Sequence, residues 1–378
     1  MPELTRRTIL KAGAGAAVVA ASTSGINAFT KKGSTSLVEP FFGTHQAGVS
    51  TPPQEHATWV SFKVKEGFDK EAFGRLMRVW SIDAQLLTTG KQALADNEST
   101  LAQGAANLTI TFGVGPELAT NFGLSGLHQI PSLSIDDLDS KWTGGDLVIQ
   151  ICANDQVKIH HAARELITDA KPFAAVHWQQ SGFLPSTDLA SNQTPRNLMG
   201  QKDGTANFKP DSQEFADAVW IKDGPASGGT VMVLRRIRMD LDKWETLSPD
   251  LKSKSIGRDI ESGAPLSGGD EFSPADFKKA DHHGLVIPAD SHFRRARLTD
   301  SPIHRRGYNY RTESDSEGKI DQGLIFVSFQ SSLHQFMQIQ KRLESMDSLN
   351  TWTTPIGSAV FLIPPGIESG QWIGHTLI

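Results

Sequence analysis

The chain is almost without cysteine, and this restricts the covalent and metal-bound structures it can build. Its 378 residues include a single cysteine, Cys152. One thiol excludes an intramolecular disulfide and any metal cluster that is held by several cysteines. Cys152 also closes the largely apolar run 147–152, so we predict a buried strand thiol and not a nucleophile.

A net positive charge, long apolar runs and familiar enzyme motifs are also missing. A net charge of −5 and a pI near 6.2 give no reason to expect a nucleic-acid partner. Beyond the N-terminus, no segment approaches the roughly 20 apolar residues that a membrane-spanning helix needs. No Gly-x-Gly-x-x-Gly opens a helix after a strand, no Ser-His-Asp arrangement is convincing, and no close carboxylate pair suggests a hydrolase.

Residues 1–28 have the composition of an export signal. A basic segment that contains Arg6 and Arg7 is followed by the small and apolar run 12–21, and small residues continue to Ala28. The adjacent arginines, followed by an apolar pair and a lysine, resemble a twin-arginine signal. We therefore expect export by the twin-arginine translocase to the periplasm or the extracellular space, without stable membrane insertion. An untargeted amphipathic N-terminus is the alternative.

Strand and helix patterns repeat in the two halves of the remaining chain. Residues 57–200 predict the order strand, helix, strand, strand, helix, strand. Residues 201–378 echo it, since 59–62 and 326–329 resemble each other and each precedes an amphipathic helix. The predicted fold is α+β, with two ferredoxin-like β-α-β-β-α-β units and antiparallel sheets. Residues 29–56 are predicted to form an extended N-terminal segment.

Two further predictions concern the second half. Residues 218–221 and 230–238 are predicted to be strands because they are rich in β-branched and apolar residues. Residues 248–320 are polar, rich in glycine and proline, and predicted to be a long insertion without regular structure. Such insertions usually carry function.

Candidate reactive residues stand in three short stretches. Asp203 lies in 200–208 between Gly200 and Gly204, and glycine lets a loop approach a ligand closely. His292 is a lone imidazole, and Arg305 follows it in the stretch 303–310. A histidine that binds iron, with a carboxylate and a guanidinium over the other face, would suit a haem peroxidase. Spacing alone leaves this open beside an ordinary Asp-Gly-Thr turn.

The adjacent pair His282-His283 is interpreted as part of an exposed loop. Neighbouring histidine side chains point in different directions, and no third ligand stands at a fitting distance. We therefore do not predict a metal site there.

Eight motifs, in preserved order, make the chain resemble the dye-decolourising peroxidases. The resemblance runs from about residue 40 to the C-terminus, and its most specific element is the GxxDGT motif at 200–205. The other stretches that resemble this family are 43–48, 145–147, 235–237, 257–258, 263–266, 305–308 and 323–326. A twin-arginine signal is likewise typical of the exported branch of the family.

The resemblance implies one haem b per chain, held in the C-terminal unit. His292 corresponds to the iron ligand, and Asp203 and Arg305 correspond to the distal acid–base and cationic residues. Further residues implied to contact the cofactor are Gly204, Thr205, Leu324 and Phe326, the last two as the distal wall. One departure concerns the acid that follows a Leu-Asn pair in many relatives, because Thr351 stands there instead. Asp347 is the nearby candidate for its role.

The function implied is a peroxidase that reduces hydrogen peroxide and oxidises bulky dyes or phenols. A carboxylate remains able to accept a proton in mildly acidic solution, so we expect an acidic optimum for dye oxidation. Large donors would give electrons at the surface, through Tyr308, Tyr310 or a tryptophan, although core packing is the favoured explanation of these aromatics. Alternatives are a periplasmic, deferrochelatase-like protein that releases iron from haem, and a haem carrier or sensor. The sequence leaves a homo-oligomer open.

Overall fold

A computed structural model describes residues 37–185, 194–314 and 320–378. The predicted export signal lies outside these residues. The α-helices, labelled in chain order, are α1 (Lys70–Thr88), α2 (Ser99–Ala102), α3 (Pro116–Asn121), α4 (Gln156–Ala170), α5 (Gln213–Val219), α6 (Leu241–Glu245), α7 (Pro249–Ile256), α8 (His292–Ala296) and α9 (Leu333–Met346). The strands are β1 (His56–Val64), β2 (Thr109–Val114), β3 (Leu147–Ala153), β4 (Ala174–Phe183), β5 (Thr230–Met239), β6 (Ala280–Asp281), β7 (Gly284–Leu285), β8 (His304–Arg305), β9 (Tyr308–Ser314), β10 (Ile320–Gln330) and β11 (Thr353–Ile363).

The first half forms an antiparallel sheet in the order β2-β3-β1-β4. Helix α1 connects β1 to β2, and α4 connects β3 to β4. Both helices begin at an aspartate whose side chain accepts a backbone N–H, Asp69 from Ala72 and Asp155 from Val157. Their apolar faces cover the sheet, where Trp80 stacks on Phe112 with ring centroids 5.3 Å apart. Burial of each such aromatic side chain contributes about 1.5–3 kcal/mol.

The second half repeats this arrangement in the order β11-β5-β10-β9. Helix α9 connects β10 to β11 and starts at a capping box, in which Ser332 and Gln335 bond each other's backbone. The longer connection from β5 to β9 carries α6, α7, α8 and β8. The predicted α+β fold of two ferredoxin-like units is confirmed, whereas the predicted boundary at 200/201 stays a prediction.

The two sheets join at both sides, so the order of strands closes on itself. One joint pairs Leu362 of β11 with Val114 of β2, and the other pairs Phe183 of β4 with Asn309 of β9. At the first joint the side chain of Gln46 donates to the carbonyl oxygens of Phe112 and Pro364, at 3.1 and 2.9 Å. The space between the sheets is filled by large apolar side chains, including Trp59, Phe215, Tyr308, Phe329 and Phe361.

Two predictions for the second half were wrong. Residues 218–221 are not a strand, because Ser212 caps a helix at the backbone N–H of Phe215 and α5 runs to Val219. The buried apolar residues of α5 pack against β10 as one face of a helix. The stretch 248–320 is not an insertion without regular structure, since α7, α8, β8 and β9 lie within it.

Among the residues that the structure describes, every helix is too short or too polar to cross a bilayer.

Candidate active site

Asp203 lies on an irregular loop whose shape depends on glycine. The backbone N–H of Asp203 donates to the carbonyl oxygen of Pro195 at 2.9 Å. Gly204, directly after it, has a φ of +115°, which side-chain-bearing residues rarely adopt. The turn that glycine permits at this point fixes the direction of the Asp203 carboxylate.

Glu271 holds this loop in place through an ion pair and a hydrogen bond. Its carboxylate pairs with the ammonium group of Lys202 and accepts a hydrogen bond from the Thr205 hydroxyl at 2.8 Å. Its backbone carbonyl accepts from Arg258 at 2.9 Å, and the residue is only 9% exposed. Thr205 is thus placed to position the loop. The predicted contact of Gly204 and Thr205 with a cofactor stays a prediction.

Two hydrogen bonds between β8 and the same loop place Arg305 beside Asp203. Asn207 accepts from the backbone N–H of Arg305 at 2.9 Å and donates to its carbonyl oxygen at 2.6 Å. The guanidinium Nη1 of Arg305 then lies 3.1 Å from Oδ1 of Asp203. The carboxylate and the cation, about a hundred residues apart in sequence, therefore form one ion pair.

His292 is the first residue of α8, and the segment before it packs tightly. The buried Ser291 bonds the carbonyl oxygen of Pro288 through its hydroxyl at 2.8 Å. Gly257, at the end of α7, has a φ of +90°, and a Cβ there would lie 2.8 Å from Oγ of Ser291. Glycine at 257 thus permits the close approach that sets where α8 begins, and with it the position of His292.

Asp347 orients the imidazole of His292. Its Oδ2 lies 2.6 Å from Nδ1 of the ring, and its Oδ1 accepts the backbone N–H of Leu349 at 3.0 Å. The next residue, Ser348, donates to Asp290 through both its backbone N–H and its hydroxyl. This double contact ties the end of α9 to the segment that precedes α8. The candidate partner suggested by the sequence is therefore the residue that bonds His292.

The charges of the site act on His292 together. Burial lowers the pKa of His292, but the charge and the hydrogen bond of Asp347 outweigh it, and the pKa is raised overall. The charges of Arg305 and Asp203 also act on this pKa, in opposite directions. The imidazole and the Asp203–Arg305 pair thus line the same region, although 89 positions separate His292 from Asp203 (292 − 203 = 89).

An apolar wall borders this region. Leu324 of β10 is 8% exposed and packs in a cluster to which Phe326 and Leu349 also belong. The other buried members of the cluster are Met199, Met239, Trp244 and Ile256. Their side chains connect the segment beside Asp203 with the segment beside Asp347. The role of Leu324 and Phe326 as the wall of a cofactor pocket stays a prediction.

The residues present fit a haem. Since Nδ1 of His292 is engaged by Asp347, Nε2 is the nitrogen left for iron, and it makes no hydrogen bond to the described residues. The side chain keeps 31% of its surface exposed. Arginines also gather here: burial, then the charges of Arg297 and Arg305, lowers the pKa of Arg258 to about 10. Such an excess of positive charge suits the two carboxylates of a haem.

Other residues singled out in the sequence lie apart from this arrangement. Tyr308 and Tyr310 are fully buried between the sheets, so neither can touch a bulky donor directly. His282 and His283 are exposed at the turn between β6 and β7, as predicted. Cys152 is a buried strand thiol, as predicted.

Sequence reasoning missed two residues that position the site. Asn207 falls inside the stretch 200–208, and its side-chain amide, which can both donate and accept, could have suggested hydrogen bonds to another segment. Glu271 gave no such signal, because it stands in a polar connection with no periodicity.

The chain matches two family models. The model described as Dyp-type peroxidase, N-terminal, matches residues 46–184, and the model described as Dyp-type peroxidase, C-terminal, matches residues 194–368. Together they cover most of the chain, including every candidate site residue.

Among the similar proteins are one curated relative and two solved structures. The deferrochelatase of Yersinia pseudotuberculosis serotype I is 34% identical over 370 residues, which cover 90% of this chain and 85% of the relative. The structure of a DyP-type peroxidase from Cellulomonas bogoriensis is 42% identical, with a TM-score of 0.87 over 91% of this chain and 99% of that one. Ferric DtpA from Streptomyces lividans is 35% identical, with a TM-score of 0.86 over 91% and 97%.

Proposed function

The chain belongs to the DyP-type peroxidase family, and is thus a haem-dependent oxidoreductase acting on peroxide, and we propose that His292, Asp203 and Arg305 carry this activity. The observation that supports the assignment is the proximity of two pairs, since the charges of Asp203 and Arg305 act on the pKa of His292. His292 with Asp347 forms one pair, and Asp203 with Arg305 forms the other. We further propose that the reducing substrates are bulky dyes or phenols.

His292 and Asp347 hold the cofactor in this proposal. Asp347 keeps the proton on Nδ1 of His292, so the Nε2 lone pair is free to bind iron. When bound, haem supplies the redox-active iron through which electrons pass from the donor to peroxide. The negative charge of Asp347 makes the imidazole a stronger electron donor to that iron.

Asp203 and Arg305 act on peroxide itself. Asp203 takes the proton from one oxygen of hydrogen peroxide and returns it to the other, which leaves as water when the O–O bond breaks. The two electrons that reduce the peroxide come from the donor through the haem, and with two further protons the first oxygen also becomes water. Arg305 stabilises the negative charge that builds up on the departing oxygen. The 3.1 Å contact between the two side chains directs the carboxylate and the guanidinium to the same place.

Bleaching of an anthraquinone dye by the haem-loaded protein tests this function. We expect loss of the dye's visible absorbance only when peroxide is present, with the fastest rate in acidic buffer. A haem-loaded protein that leaves the dye unchanged across the acidic and neutral range would contradict the proposal and favour a carrier or sensor.

A second candidate is release of iron from haem, because the curated relative above is a deferrochelatase. Incubation of the loaded protein with an iron chelator and a reductant separates the two. Iron release would leave the intact metal-free porphyrin, which is recognised by its fluorescence. Peroxidase activity alone would leave the haem iron in place.

Replacement of Asp347 by asparagine is expected to weaken haem binding and peroxidase activity without removing the iron ligand, His292. Asparagine can still accept the Nδ1 proton but carries no charge, so the imidazole becomes a poorer donor. Removal of such a supporting partner typically costs about 10–100-fold in activity or metal affinity. The midpoint potential of the iron should rise as well.

A potentiometric titration of the haem absorbance checks the Asp347 prediction. Asp290→Asn is the matched control, because Asp290 holds the same segment through Ser348 without contacting the imidazole. An equal rise in potential in both variants would assign the effect to the position of the segment and not to the charge of Asp347.

We also propose export of the protein through the twin-arginine route to the periplasm or beyond. The support is the sequence of residues 1–28 alone. Replacement of both Arg6 and Arg7 by lysine is expected to leave the uncleaved precursor in the cytoplasm, as measured by cell fractionation. Exchange of Lys31 and Lys32 for arginine, beyond the predicted cleavage point, is the matched control. Undisturbed export of the Arg6/Arg7 variant would exclude this route.

A further inference from the structure

A second cluster of ionisable side chains lies in the first half of the chain. His161, Glu165 and Asp169 stand four residues apart on α4, so they share one face of that helix. Asp96, from the segment that follows α1, faces His161. Asp83, on α1 itself, lies near enough to Asp169 for its charge to act on that carboxylate. None of these residues takes part in the peroxidase chemistry proposed above.

Three members of the cluster present metal-ligating atoms at a fitting separation. The ligand atoms of Asp96, His161 and Glu165 all lie within 4.8 Å of one another. Oδ2 of Asp96 is 3.0 Å from Nε2 of His161. Two ligands that each lie about 2.1 Å from a metal ion, at octahedral or tetrahedral angles, are about 3.0–3.4 Å apart. This pair could therefore bind one ion with little rearrangement.

The imidazole of His161 is not satisfied by the protein around it. His161 is 1% exposed, and its second ring nitrogen, Nδ1, has no hydrogen-bond partner among the described residues. If the proton is on Nε2 to bond Asp96, the buried Nδ1 lone pair is unpaired. If it is on Nδ1, that N–H is a buried donor without an acceptor among the described residues, and the Nε2 lone pair faces a carboxylate oxygen with nothing positive between them. A metal ion between Nε2 and Asp96 would relieve the second of these defects. A buried histidine that only supports the fold normally has both nitrogens bonded.

Negative charge also exceeds positive charge in the cluster. Four carboxylates gather here, from Asp83, Asp96, Glu165 and Asp169. The described ion pairs of the cluster bring one arginine, Arg164, which is 46% exposed and lies 3.6 Å from Glu165. Burial, then the charge of Asp83, raises the pKa of Asp169 to about 7. A cation held between these groups would relieve both the repulsion and the burial of unpaired charge.

We propose that Asp96, His161 and Glu165 bind a divalent first-row transition metal ion that fastens the segment after α1 to α4. The imidazole ligand favours Zn²⁺ or Mn²⁺ over Ca²⁺ and Mg²⁺, which prefer oxygen ligands only. Asp96 is already oriented, because its other oxygen accepts the backbone N–H of Glu98 at 2.7 Å. Asp96 is buried, whereas the Glu165 side chain is 14% exposed and offers the ion a way in.

The experiment uses the full haem-loaded chain without a histidine tag, first treated with EDTA and then equilibrated with Zn²⁺ or Mn²⁺. Elemental analysis gives the ratio of added metal to haem iron, so the haem iron serves as the internal standard. We expect one Zn²⁺ or Mn²⁺ per iron, and a rise in Tm of several degrees on binding.

Variants locate the ion. His161→Gln and Glu165→Gln should each weaken binding at least about tenfold and remove the rise in Tm. His160→Gln is the matched control, since His160 is the adjacent but exposed histidine of the same helix. His283→Gln serves as the control for binding to the exposed histidine pair between β6 and β7.

The outcomes are distinct. If His161→Gln does not fold, Glu165→Gln decides, because its amide preserves size and leaves the His161–Asp96 contact in place. Wild-type protein that takes up no Zn²⁺ or Mn²⁺ beyond background would overturn the proposal. So would uptake that is unchanged in Glu165→Gln, or uptake that is lost in His283→Gln.

Discussion

Replacement of His292 by alanine is expected to abolish the Soret band of bound haem or to shift it strongly. The imidazole is the iron ligand in the proposed site, and Asp347 is already engaged at Nδ1 so that Nε2 points to the metal. Alanine offers no ligand atom, and the apolar residues around Leu324 and Leu349 bring no replacement. Haem affinity and peroxidase activity should both fall by orders of magnitude.

Imidazole added to His292→Ala separates a lost ligand from a lost fold. A small molecule that enters the space left by the side chain should restore much of the Soret band. His283→Ala is the control, because it removes an exposed histidine near in sequence without approaching the site. An unchanged spectrum and unchanged activity in His292→Ala would refute the assignment of the ligand.

The second large effect is expected from the Asp203–Arg305 pair. Asp203→Asn keeps the size of the side chain but cannot accept a proton, and Arg305→Leu removes the cation that faces it. A positioned acid–base group contributes about 10²–10⁴ to a rate. We therefore expect each variant to react with peroxide well over tenfold more slowly, as measured by the rapid change in haem absorbance after one equivalent is added.

Charge-matched controls distinguish this role from a general change in electrostatics. Asp211→Asn and Arg311→Leu remove the same charges at exposed positions of the same unit. Because Asp203 and Arg305 act on the same proton transfer, the double variant should be little slower than the slower single variant. Full rates in both single variants would exclude them as catalytic residues.

The alternation of apolar residues predicted the repeated sheet correctly, and its failures have identifiable causes. The stretch 218–221 is apolar enough for a strand, but the side chain of Ser212 begins a helix just before it. Strand β9 was hidden within a polar connection because its buried tyrosines alternate with Asn309, Arg311 and Glu313. Local pattern cannot reveal that Asn309, on this polar face, bonds the backbone of Arg196 and Leu198.

Only the site residues that lie in motifs of the resembled family could be predicted from the sequence. Asp203, His292 and Arg305 were found through a resemblance, since their types and spacing alone fit many loops. The partner of His292 could not be fixed from sequence, because Asp347 lies 55 residues away and reaches it through tertiary contacts such as the Ser348–Asp290 bonds. Glu271 likewise acts across 66 residues on Thr205. Such contacts are properties of the folded chain.

The joining of the two sheets also protects the protein from association through its strands. An open sheet edge exposes unpaired N–H and C=O groups on which another chain can add a strand. At each joint the strands themselves share a single pair of facing residues. Asn309, in the β4–β9 joint, also accepts the backbone N–H of Leu198 in the segment that leads to Asp203. Separation of β4 from β9 would therefore expose an unpaired strand edge and, at the same time, free the loop that carries Asp203. Loss of activity and the onset of aggregation should then follow a common time course on heating.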